Sequence, residues 1–98
     1  LLSRGLGDVY KRQLYDLAAA GVSIWDYDNT YVEPTVFVGA GAELLPGTVL
    51  RGTTSIADGC MIGPNSYLEN VKVGENTRVN ASQVYDSEIG ADDQKLMS

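Results

Sequence analysis

The stretch VEPTVFVGAGAELLPGTVLRGTTSIADGCMIGPNSYL, residues 32–68, decides the fold. Counting in sixes from Val32 gives Val32, Val38, Leu44, Leu50, Ile56, Ile62 and Leu68, seven branched aliphatics without exception. Two residues before each stands a smaller side chain: Thr30, Val36, Ala42, Thr48, Thr54, Cys60 and Ser66. Val, Ile and Leu make up 24 of 98 residues. Seven hits in one register therefore have a chance probability on the order of 10⁻⁴, so the stretch is a repeat.

A period of six contains the alternation of a strand and then breaks it. Positions i−2 and i point the same way, and the chain then turns. Three residues after each aliphatic come Thr35, Gly41, Gly47, Thr53, Gly59 and Asn65, mostly types that accept positive φ or bond their own backbone in a bend. Each hexad is a short strand plus a corner. Three such sides make a coil of eighteen residues, which predicts Val32, Leu50 and Leu68 stacked at the strand spacing of about 4.8 Å, and Leu44 over Ile62 likewise. The expected architecture is a parallel β-helix of about three to four coils. Its hand does not follow from periodicity, and the rule for parallel crossovers alone would favour a right-handed path.

Past Leu68 the register slips: Val73 lies five on, Val79 six, and Val84 and Ile89 five each. Asn76, Ser82 and Asp92 are expected at the corners. Residues 91–98, ADDQKLMS, begin like another turn and then lose the aliphatic, which suggests a truncated solenoid spanning residues 22–98.

Upstream, LYDLAAA (residues 14–20) has the Leu and Ala content of a helix end, with Gly21 as its stop, so a short linker helix is expected at residues 14–21. Residues 1–13, LLSRGLGDVYKRQ, have no hexad and a local charge of plus two from Arg4, Lys11 and Arg12 against Asp8. They resemble translated adapter sequence and are expected to be a non-native or disordered lead-in, the alternative being a native polar lead-in to a helix. Trp25, Tyr27 and Tyr31 cluster where the solenoid begins and are expected to cover its open end.

Composition bounds the function. From Leu14 onward, 12 acidic side chains oppose 4 basic ones, which disfavours nucleic-acid binding because phosphate contacts need clustered Lys or Arg. The apolar runs are only a few residues long, so no membrane association is expected and a cytoplasmic location is the default. There is no His, hence no imidazole base and no His-based metal site. Cys60 is the only cysteine and sits at an inward position, where a thiol acts as a small hydrophobe.

The acidic residues Asp26, Asp28, Glu33, Glu43, Asp58, Glu69, Glu75 and Asp86 fall at corners and outward positions, with no spacing that forces two carboxylates together. Gly39-Ala40-Gly41 and Gly63-Pro64-Asn65 look like phosphate loops, but neither precedes a helix. Arg51 and Arg78 are expected to point outward, Arg51 within reach of an acidic neighbour or another subunit. No residue of this chain is assigned as catalytic, cofactor-binding or metal-ligating.

GVSIWDYDNTYVEP (residues 21–34) followed by residues 44–90 resembles the start of the left-handed β-helix domain in the family of bifunctional N-acetylglucosamine-1-phosphate uridyltransferase/glucosamine-1-phosphate acetyltransferases. Gly21, Val22, Ile24, Asp26, Thr30 and Tyr31 match the family's opening motif, with Tyr27 in place of its usual Pro. Pro46, Gly47, Thr48, Leu50, Gly52, Ile62, Gly63, Pro64 and Ser66 match its repeat signatures. The left-handed assignment rests on this resemblance, which runs from about Leu14 to Gly90.

The resemblance implies acetyl transfer from acetyl-CoA to glucosamine-1-phosphate and then uridyl transfer from UTP with magnesium, giving UDP-N-acetylglucosamine for cell-envelope polymers. It also implies a homotrimer, with a His acting as base in later coils and the nucleotide and metal sites in the preceding domain. None of those residues matches a position here, so this segment is expected to supply a linker and the first coils, and to be inactive alone. Two other readings remain open: the regulatory β-helix tail of another sugar nucleotidyltransferase, and a non-enzymatic trimerising scaffold. A γ-class carbonic anhydrase, also a β-helix, is disfavoured because these coils lack a metal-binding His.

Overall fold

A computed structural model describes residues 2–91 and 94–96 of the chain. Helix α1 (Leu2–Ala19) is followed by thirteen short strands: β1 (Ser23–Ile24), β2 (Thr30–Val32), β3 (Phe37–Val38), β4 (Glu43–Leu44), β5 (Thr48–Arg51), β6 (Ser55–Ile56), β7 (Met61–Ile62), β8 (Tyr67–Glu69), β9 (Lys72–Val73), β10 (Arg78–Asn80), β11 (Gln83–Tyr85), β12 (Glu88–Ile89) and β13 (Gln94–Leu96). Every third strand joins the same wall. The first sheet is β1-β4-β7-β10-β13, the second β2-β5-β8-β11 and the third β3-β6-β9-β12, with all pairs parallel. The fold is a left-handed parallel β-helix of about four turns with one helix at its start.

The hexad aliphatics stack as the period requires. In the second sheet Val32, Leu50, Leu68 and Val84 form one column. In the first sheet Ile24, Leu44, Ile62 and Val79 form another, and in the third Val38, Ile56, Val73 and Ile89. Val32, Leu44, Leu50, Ile56, Ile62, Leu68 and Val79 are fully enclosed. Each removes an aliphatic side chain from water, about 1.5–3 kcal/mol of gross stabilisation per residue. The smaller residues at i−2 are buried as well, and Thr48, Thr54 and Thr77 turn their hydroxyls onto backbone carbonyls. A hydroxyl at an inner corner would be costly if unpaired; among the described residues no buried side-chain polar atom lacks a partner.

The corners differ from expectation in an instructive way. Gly41, Gly47, Gly59, Asn65 and Asn76 do carry positive φ three residues after an aliphatic. Along the edge leaving the second sheet, however, the left-handed residues are Gly52, Asn70 and Asp86, only two residues past Leu50, Leu68 and Val84. Thr53 is therefore not the left-handed residue of its bend, and neither is Thr35 of its own. After β10 the corner is one residue shorter, so Ala81 takes positive φ and Ser82 is fully buried beneath β11 as an inner small residue. Ser82 is a core position, contrary to its assignment as a turn. Asp92 lies outside the described residues. Strand β13 forms beside β10, with Lys95 in register with Val79, where the hexad signal had faded.

The helix is longer than the sequence indicated, running through the lead-in from Leu2 to Ala19. It ends where Gly21 adopts φ 102°, and the Ala20, Gly21 and Val22 amides close on Asp16, Ala18 and Leu17 carbonyls, satisfying the helix end. Leu14 is 1% exposed and Leu17 packs against the core. These leucines cover the start of the prism together with Tyr27, which is half-buried against the same core and packs on Tyr15 at 5.1 Å between ring centroids, whereas Trp25 is 61% exposed.

Candidate functional site

The residues weighed for chemistry are dispersed by the coil. Cys60 is buried at its inner corner and its Sγ donates to the Gly74 carbonyl at 3.0 Å. Burial pushes its thiol pKa up, so the neutral form is favoured and the residue acts as a packing group. The two glycine-bearing turns are corners whose amides already serve the coil. Gly39 N donates to Ile56 O, Gly41 N to Gly21 O and Asn65 N to Pro46 O, leaving no nest of free amides for a phosphate.

The strongest polar cluster lies on the outer face of the second sheet. Strand alternation sends Tyr31, Val49, Tyr67 and Gln83 outward in one column, and the same pleat places Glu33, Arg51, Glu69 and Tyr85 in the next. Arg51 meets Glu33 at 3.6 Å and donates to the Tyr67 hydroxyl at 3.3 Å, and Tyr67 donates to Glu69 at 2.9 Å. Tyr67 also packs on Tyr85 with centroids 5.4 Å apart. Bonding to Glu69 raises the Tyr67 pKa, while Tyr67 first and then Glu33 hold Arg51 more firmly protonated. The Arg51 expectation of an acidic neighbour is met within its own chain. The network is a surface ladder; it has no nucleophile beside a base, and its carboxylates are occupied by intrachain donors.

Around the start of the solenoid the acidic residues serve local structure. Asp26 accepts from the Asp28 amide at 2.9 Å and from Asn29 Nδ2 at 2.8 Å, closing a turn before β2. Lys11 of the helix pairs with Asp28, and Trp25 Nε1 donates to Glu43 at 3.2 Å. A hollow of about 720 Å³ lies beside the helix, lined by Lys11, Arg12, Tyr15 and Asp16. Lys11 there is already committed to Asp28. Arg78 points outward as expected. Among the described residues no group of three or more His, Cys, Asp or Glu side chains could hold a metal ion. Among the same residues, no helix is long and apolar enough to cross a membrane.

Triangular coils built on hexads, with a capping helix at their start, define the class: left-handed β-helix, hexapeptide-repeat proteins. No protein-family model matches the chain. Curated relatives do. The chain is 40% identical over 70 residues to the bifunctional protein GlmU of Halalkalibacterium halodurans, an alignment covering 71% of this chain and 15% of that protein. It is 41% identical over 83 residues to the GlmU of Corynebacterium jeikeium, covering 85% and 17%, and 38% identical over 89 residues to that of an Exiguobacterium species, covering 91% and 20%. Over most of its length the chain is thus similar to one segment of GlmU proteins. It spans only 15–20% of the length of these relatives.

Proposed function

We propose that residues 14–98 act as the linker-helix end and first β-helix coils of a bifunctional transferase that makes UDP-N-acetylglucosamine. In the whole protein, acetyl-CoA would acetylate glucosamine-1-phosphate, and UTP with magnesium would supply the uridyl group. The segment's work is mechanical. A column whose aliphatic core is continuous through four levels is stiff along its axis, so it holds the parts at its two ends at a fixed separation and starts the prism through which three subunits would associate in the cytoplasm. The observation that carries this reading is the coincidence of an unbroken inner ladder with 38–41% identity to GlmU proteins across the same residues. The dispersal of polar groups is in keeping with it, since the Glu33-Arg51-Tyr67-Glu69 network places no nucleophile beside a base.

A segment exchange tests it. Replacing the aligned stretch of the Exiguobacterium protein with residues 14–90 of this chain should give a folded trimer that retains both transfer reactions. A folded chimera that lost its assembly, or one that lost both activities while its isolated catalytic domains stayed active, would overturn the spacer role. The 98-residue chain alone is expected to show no acetyl or uridyl transfer in assays with both substrate pairs, and turnover in either would refute the placement of the active sites outside it. Residues 1–13 are a non-native lead-in in this reading, against which stands the 89-residue match to the Exiguobacterium protein, since it leaves out only nine residues of the chain and so reaches into them. Sequencing the flanking DNA checks that, and an uninterrupted reading frame through Leu1 that aligns with the relatives would reject it.

A further inference from the structure

No further inference is drawn: the strongest candidate, the packed aromatic pair of Tyr67 and Tyr85 on the outer face of the second sheet, carries nothing because nothing in the structure shows what covers it.

Discussion

The lower coils, residues 30–62, and the upper coils, residues 63–90, solve the same corner in two ways. Below, the left-handed positions are glycines: Gly41, Gly47, Gly52 and Gly59. Above, Gly63 is the one glycine among them and the rest are Asn65, Asn70, Asn76, Ala81 and Asp86, and the step between stacked aliphatics falls from eighteen residues (Leu50 to Leu68) to sixteen (Leu68 to Val84). The two sets are coupled. Gly47, Gly52 and Gly59 lie against Asn65, Asn70 and Asn76 of the next coil, and the amide oxygen of each Asn occupies the space where the glycine's Cβ would be. Asparagine tolerates positive φ by bonding locally, and its side chain finds room because the residue below has none. Each Gly therefore serves two needs, its own backbone and its neighbour's side chain.

The largest break in this comparison comes from the core that both regions share. In the column Val32-Leu50-Leu68-Val84, Leu50 is fully enclosed and Val84 is 7% exposed. Leu50→Ala should cost about 2–5 kcal/mol through lost transfer energy and a cavity that stiff coils cannot collapse. Val84→Ala should cost about 1–2 kcal/mol. Urea unfolding midpoints of the two variants check this, and equal losses would mean that the upper coils are as tightly held as the lower.

Next in size are the corners. A Cβ at Gly47, where φ is 84°, would collide with Asn65 Oδ1 and lie 2.9 Å from the Asn65 amide nitrogen. At Gly41, with a similar φ of 78°, the nearest atom would be 3.8 Å away. Gly47→Ala should cost about 2–4 kcal/mol, whereas Gly41→Ala should cost about 1–2 kcal/mol, the backbone term alone. Gly90→Ala, with nothing within 4 Å, should be close to neutral. The double variant Gly47→Ala/Asn65→Gly sharpens the point. Removing the Asn side chain should recover part of the Gly47→Ala loss in thermal unfolding, and strict additivity would show that the two corners are not coupled.

Asn70 should matter through its bonds. Its Oδ1 accepts from the Thr53 amide at 2.9 Å, its Nδ2 donates to Asp86 at 3.2 Å, and its φ is 56°. Asn70→Ala loses both and keeps the strained backbone, about 1–3 kcal/mol, while Asn70→Gly relieves the backbone and should lose less. Urea unfolding midpoints report the difference, while amide exchange at Thr53, which loses the same acceptor either way, should be faster in both variants.

How much of this could be read from residues alone follows from where the period is enforced. The inner ladder was legible because every side of the prism must bury one aliphatic and one smaller residue, so Val32 to Leu68 carry the signal redundantly. The corners were legible only where they follow the common three-residue spacing, as at Gly41, Gly47 and Gly59. The second sheet turns one residue earlier, and Gly52 beside Thr53 offered two adjacent candidates whose choice depends on which lies against Asn70. Ser82 was misplaced for the same reason, since a one-residue shortening exchanges a turn for a core position. The Glu33-Arg51-Tyr67-Glu69 ladder was not legible in the motif pattern. It joins residues on three successive coils, and only the stacking register, once accepted, would have brought them together.

The smallest effect belongs to a third kind of corner, the long turn of Asp26 to Asn29 at the base. Bonding by Asn29 and then by the Asp28 amide lowers the Asp26 pKa below its usual value. Because the folded state prefers the carboxylate, the stabilisation is present above the unfolded pKa near 4 and is lost as pH falls through the lower folded value. Asn29→Ala should bring the Asp26 titration, followed by carboxyl NMR shifts, back toward the ordinary range. The Asp28 amide bond would keep it from returning fully. The group is exposed, so the unfolding midpoint at neutral pH should hardly move, in contrast with Gly47→Ala. A large neutral-pH loss in Asn29→Ala would make the base of the column as demanding as the tight corners above it, and the contrast between the two kinds of turn would then lie in length rather than in energy.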